Sequence, residues 1–237
     1  TTYGEALQNA LTPVLKTLHQ IPTQLQQMAL EREKTIRLNV LAASTLVTQA
    51  LISYKKDHDG LHFRLIQNSQ CEDADITVFT RENFQIPTDT KERYELFKER
   101  IFLAVPHNSP YASEESVRLQ DFAHEDFISL SGSRSIRTIC DCYCMQAGFV
   151  PHIIYESDSP DTVKNLIASG LGVGFWPHYT WGMDSMEQIR LLPIAEPTCQ
   201  RAIILQLHRH ARGQEAVCSF YAFLSRYLRQ LKAAEQH

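Results

Sequence analysis

Nowhere in this chain do about 18 apolar residues follow one another, so no segment qualifies as a membrane-crossing helix. The N-terminus also lacks a charged stretch leading into an apolar one, which removes a secretory leader and points to a cytoplasmic protein with no membrane partner. Positive charge is not in excess: 23 Lys and Arg against 27 Asp and Glu give a net charge of −4 and a pI near 6.2. A broad nucleic-acid-binding surface is therefore excluded from these residues, and any DNA-reading part lies elsewhere. GxSxG, P-loop, HExxH and dinucleotide patterns are all missing, so no catalytic residue, bound metal or cofactor is expected. Nine glycines and ten prolines in 237 residues exclude fibrous and disordered classes, and 43% apolar content is enough to bury a core.

Residues 154–177 are the most informative stretch, reading as strand, capped helix and second strand in succession. Ser159 caps the helix, Pro160 takes its first position and Asp161 its first turn; Val163, Leu166 and Ile167 keep helical spacing, and Gly170 ends it. Leu171 to Trp176 reads as a buried strand. Its alternate glycines, Gly170, Gly172 and Gly174, leave one side bare for another backbone or a small ligand.

The N-terminal stretch carries Leu7, Leu11, Val14, Leu18, Ile21, Leu25 and Met28 at alternating spacings of four and three, a heptad seam. Pro13 and Pro22 each remove a helical hydrogen bond, so the helix is expected to be kinked or split there. The seam ends at the solvated run Glu31 to Lys34. Either it pairs with another subunit, or the helix lies on its own domain.

From Thr35 the pattern alternates: Ile36 to Leu41 is a strand, Ser44 or Thr45 caps a helix through Lys56, and Leu61 to Gln67 and Asp75 to Phe79 are further strands. Parallel neighbours need a crossover of about a dozen residues. Only Gln70 to Ala74 separate this last pair, so either the two are not parallel neighbours or a crossover helix is shortened or missing. A loop leads to the strand Phe102 to Pro106, and later come the strand Phe127 to Leu130, a helix from Arg134 to Ala147, the strands Ile189 to Leu192 and Ala202 to Leu207, and a helix from Glu215 to Ala233. Strands and helices alternate twice over, which predicts an α/β fold of two lobes.

Two strand-to-helix turns, Leu41 to Thr45 and Ser129 to Arg134, each offer hydroxyls and free N–H groups at a helix N-terminus. In an open α/β sheet such turns face ligands, and helix N-termini favour anions. A small anionic molecule between the lobes is the simplest guest; the alternative is that each serine only caps its helix. Arg134 and Arg137 stand in first turns where the helix dipole disfavours them, which marks Arg134 as a candidate ligand contact. Six cysteines are read as free thiols in a chain too large to need disulfides. In Cys140-Asp-Cys142-Tyr-Cys144, helical geometry puts Cys140 and Cys144 together on the apolar face and Cys142 opposite. Buried structural thiols are expected there, with a redox-sensing pair as the alternative.

These motifs together resemble the LysR-type transcriptional regulators. Thr1-Thr-Tyr-Gly4-Glu5-Ala-Leu7 looks like the family's threonine and glycine motif where the linker helix begins, and the seam takes the place of that dimerising linker. Ile36 to Thr45 resembles the first strand and effector-binding turn, Phe102 to Pro110 the stretch entering the second lobe, and Val163 to Pro177 the Gly-Leu-Gly and Pro signature. The resemblance implies two Rossmann-like lobes of the type 2 periplasmic-binding-protein fold behind an N-terminal linker helix. It implies residues 1–33 as the linker, 34–104 with 203–237 as lobe I, and 105–202 as lobe II. It further implies a small-molecule effector contacted by Ser44, Thr45, Asn68, Ser69, Ser131, Ser133, Arg134 and Phe175, and a homodimer or homotetramer built through Leu7, Leu11, Val14, Leu18, Ile21 and Leu25. Operator DNA would be reached only through a DNA-binding domain absent from this chain, which opens without methionine. A solute-binding protein of the same fold, an enzyme on the same scaffold and a thiol-based sensor of the same family are the rival readings.

Overall fold

The computed structural model describes residues 1–67, 69–81, 91–131, 134–182 and 187–234, with the side chains of 24, 26–31, 33, 134 and 232–234 outside the description. A single helix, α1 (Thr2–Lys34), leads the chain, capped by Thr1, whose Oγ1 accepts the Gly4 N–H at 3.3 Å. At about 1.5 Å per residue it spans roughly 50 Å. Pro13 and Pro22 lie inside it, so the expected split does not occur. Each proline removes one N–H from an exposed helix, where water solvates the carbonyl left free. The seam does not lie on its own domain: Leu7, Leu11, Val14, Leu18 and Leu25 are each between 45% and 60% exposed, and Ile21 is 39% exposed.

Lobe I starts with β1 (Thr35–Val40), α2 (Ser44–Lys55), β2 (His62–Gln67) and β3 (Ile76–Arg81). Ile36, Leu38 and Val40 alternate inward and pack on Leu46, Val47, Ala50 and Tyr54 of α2, and on Val217, Phe220, Tyr221 and Leu224 of the terminal helix α6 (Glu215–Ala234). The short β2–β3 connection has a geometric answer. Both strands run parallel to β1 on its opposite edges, so they are not neighbours. Gln67 aligns with Val40 and Ile76 with Leu38, so the chain steps back only two positions while crossing two strand spacings, about 10 Å. Eight intervening residues reach further than that, and no helix is needed.

One long strand runs through both lobes. β4 (Arg93–Pro106) pairs antiparallel with β10 (Gln200–Leu207) over its first half, then with β8 (Gly174–Pro177) and β9 (Ile189–Glu196) over its second. β4 begins well before the expected Phe102, because Phe97 and Glu99 continue the inward alternation of Ile101 and Leu103 against β10. A two-residue strand, β5 (Val117–Arg118), edges β9. Lobe II adds the parallel pair β6 (Asp126–Leu130) and β7 (His152–Ser157), with α3 (Arg134–Gln146), α4 (Pro160–Ala168) and the short α5 (His178–Trp181). Its core gathers Ile101, Leu103, Phe122, Phe127, Ile139 and Leu192, with Trp176, Val163 and Ile167 on the other face.

The signature segment folds as its residues predict, with one adjustment. Ser159 Oγ accepts the Thr162 N–H at 3.4 Å, and Gly170 ends the helix at φ 79°. The strand is shorter than expected, beginning at Gly174, and Leu171 is 43% exposed. The bare glycine side receives another backbone: a Cβ at Gly172 would lie 2.6 Å from the Asp126 carbonyl oxygen, and one at Gly174 2.9 Å from that of Ile128.

Candidate functional site

At the end of β1 the Leu41 N–H donates to the Val78 carbonyl at 2.8 Å, holding the chain on the sheet before it turns. Ala43 then adopts φ 58°, ψ 35°, the left-handed region that alanine enters at a cost of about 1–2 kcal/mol. Ser44 is therefore the first residue of α2 and not its cap, and Thr45 does not cap it either. The turn makes no side-chain cap bond. The first helical bond runs from the Val47 N–H to the Ala43 carbonyl, so the N–H groups of Ser44, Thr45 and Leu46 have no partner within the helix.

That N-terminus borders a cavity of about 200 Å³ between the lobes. Val40 to Ser44 and Gln67 form the lobe I wall; Leu130, Ile136, Asp158 and Pro160 form the lobe II wall; Pro177, Thr180, Trp181 and Arg201 lie where the connecting strands pass. The volume falls below the ~300–1,000 Å³ of drug-sized sites and suits a small molecule.

A buried polar network underlies the cavity. Glu99 and Arg201 stand opposite each other in the β4–β10 ladder. Arg201 Nε donates to Glu99 Oε2 at 2.5 Å, and the side chains are 3% and 0% exposed. The Thr180 N–H donates to Glu99 Oε1 at 2.6 Å and its hydroxyl to Oε2 at 3.1 Å, while Arg201 Nη2 donates to Thr180 Oγ1 at 2.7 Å. Among the described residues Nη1 of Arg201 has no acceptor. Leu41 also borders a larger open groove of about 990 Å³, lined by Asn39, Thr77, Gln206 and His208 from lobe I and by Ser131 and Ser135 from lobe II. Thr80 and Ser135 hydroxyls share a 2.6 Å hydrogen bond across the lobes beside it.

The structure distributes the expected contact residues unevenly. Ser44 borders the cavity; Thr45 is exposed and does not. Ser69 and Ser131 border the open groove, and the Ser131 N–H donates to the Ser157 carbonyl at 2.8 Å. Phe175 turns toward the lobe II core, its ring 5.9 Å from that of Phe127. Asn68 and Ser133 lie outside the described residues, as does the side chain of Arg134 at the start of α3. Arg137 is committed to Asp141 and Glu156. Sequence reading missed Asp158, Glu99, Thr180 and Arg201. The alternation of Phe97, Glu99 and Ile101 held a signal, since it places a carboxylate on the inward face.

Cys140, Cys144 and Cys199 are buried together in lobe II. Burial pushes the Cys144 and Cys199 thiols up to about 12 and raises Cys140 well above the ordinary thiol range. Among the described residues no group of His, Cys, Asp and Glu is placed to hold a metal, and no helix is long and apolar enough to cross a membrane.

Two α/β lobes joined by the long strand β4 and by the short link from β9 to β10, with a ligand-sized cavity between them, define the periplasmic-binding-protein-like effector domain. The model of the LysR substrate binding domain matches residues 30–229, and the chain belongs to that family. Two relatives from Bacillus subtilis (strain 168) are similar: the HTH-type transcriptional regulator YybE, 25% identical over 209 residues, and the transcriptional dual regulator GltC, 24% identical over 200 residues. The matches cover 85% and 80% of this chain but 70% and 65% of those proteins. The effector binding domain of QuiR, solved in complex with shikimate, shares the fold with a TM-score of 0.67 and 18% identity, covering 83% of this chain and 97% of that one.

Proposed function

We propose that this chain is the effector-sensing and self-associating part of a LysR-type transcriptional regulator, without catalytic activity of its own. Lobe I (34–104 and 203–237) and lobe II (105–202) close on a small effector that carries an anionic group, and α1 pairs with α1 of a second copy to form a dimer or a dimer of dimers. A DNA-binding domain outside these residues reads the operator. The observation that carries this reading is the uncapped N-terminus of α2 facing the interlobe cavity, since free N–H groups and the helix dipole attract an anion. Shikimate, the ligand of the QuiR domain, is itself a small carboxylate. Effector binding shifts lobe closure, and the Arg32 to Asp75 ion pair at the foot of α1 carries the change to the linker.

A thermal-shift screen against small carboxylates, amino acids and aromatic acids tests it, because a ligand of the folded state raises the midpoint by mass action. A stabilising acid whose effect falls on Ser44→Ala supports the reading, and no stabilisation by any member sinks it. A thiol sensor is the second reading. The raised thiols of Cys140, Cys144 and Cys199 disfavour it, because the thiolate is the reactive form.

A further inference from the structure

We infer that the effector is a zwitterion of the α-amino-acid type, with its carboxylate against the α2 N-terminus and its ammonium against Asp158. This rests on the cavity reading above and narrows the ligand class. The walls of the cavity are not uniformly electropositive. Lobe I presents the N–H groups at Ser44, and Arg201 lines the same cavity, its Nε and Nη2 engaged and its Nη1 without an acceptor among the described residues. The charge of Arg201, however, is already offset by Glu99, 2.5 Å away. Lobe II presents Asp158, whose carboxylate has no hydrogen bond or ion pair among the described residues. Asp158 is the formal charge left unbalanced in the described lining, and it is negative.

Asp158 is exposed, so water solvates its carboxylate. Closure around a ligand removes that water, and a desolvated carboxylate requires a cationic or donor partner. A simple anion would instead put two negative charges into a space of about 200 Å³. A molecule with an ammonium a few bonds from a carboxylate satisfies both walls at once and bridges the lobes. Its amino group gives Asp158 a charge-assisted hydrogen bond, and its carboxylate takes those of Ser44 and Arg201.

Calorimetric titration of the whole chain tests this with two matched series: glycine, L-serine, L-aspartate, L-glutamate and L-phenylalanine, and the acids lacking the amino group, namely acetate, 3-hydroxypropanoate, succinate, glutarate and 3-phenylpropanoate. At least one amino acid should bind roughly tenfold or more tightly than its deaminated partner. Asp158→Asn should abolish that preference while leaving the unliganded unfolding midpoint unchanged. Deaminated acids that bind equally or better overturn the zwitterion while leaving the anion-binding cavity in place, as does an Asp158→Asn protein that keeps its preference. Absence of binding across both series overturns the zwitterion and the cavity reading together.

Discussion

Glu99 and Arg201 face each other across the β4–β10 ladder with a 2.5 Å ion pair and essentially no exposure to solvent. They sit where the strands leave one lobe for the other, and Thr180 closes the network from α5. Three hydrogen bonds to the Glu99 carboxylate, from the Thr180 N–H, the Thr180 hydroxyl and Arg201 Nε, make a buried pair tolerable between the lobes.

Removing one member leaves the other charged and buried. Arg201→Met should destabilise the chain by roughly 3–5 kcal/mol in urea unfolding, and Glu99→Leu combined with Arg201→Met should recover much of that loss. Equal instability of the single and double variants would count against this account of the pair.

The glycines of the signature segment predict a sharper steric result. Gly172→Ala pushes a methyl group to 2.6 Å from the Asp126 carbonyl oxygen, whereas a Cβ at Gly213 meets nothing within 4 Å. Gly172→Ala should cost about 1–3 kcal/mol and Gly213→Ala close to nothing, read from denaturant midpoints.

His208 gives stability a pH dependence. Burial lowers its pKa below the ordinary 6.5, with Glu92 opposing from one side, and its Nε2 lies 2.8 Å from Thr77 Oγ1. The unfolded chain therefore binds the proton more readily, so this residue's contribution is complete above about pH 6.5 and is lost as pH falls toward the folded value. His208→Gln should flatten the fall of the thermal midpoint between pH 7 and pH 5. An unchanged slope would assign the effect elsewhere.

Thiol accessibility separates the effector reading from the redox one. Native alkylation with iodoacetamide at pH 8 should leave Cys140, Cys144 and Cys199 unmodified, because burial both shields them and holds them protonated. Peptide mass spectrometry showing rapid labelling of all three would return weight to a thiol sensor.

The seam of α1 is left uncovered by the lobes, and the proposed pairing with a second copy would bury it. Leu11→Glu with Leu18→Glu should lower the oligomeric state seen by light scattering while leaving the lobes folded, since neither leucine packs on them.

Much of this fold is legible in the sequence because its signals are local. Period-2 alternation marks β1, the Ser159-Pro160 start marks α4, and the heptad spacing marks α1. The β2–β3 link misleads because sequence separation does not reveal that β1 inserts between the two strands. Ser44 reads as a cap from its residue type, yet the turn places Ala43 in the left-handed region and makes Ser44 the first helical residue. The cavity is less legible. Ser44 and Asp158 are far apart in the chain, and only lobe packing brings them to one space.

Hydrogen–deuterium exchange with and without the amino acid that stabilises the chain most tests the central claim directly. The account predicts new protection concentrated at 40–46, 158–162 and 177–181, with the open groove at Ser69 and Gln206 unchanged. Protection confined to that groove, or none between the lobes, would contradict it.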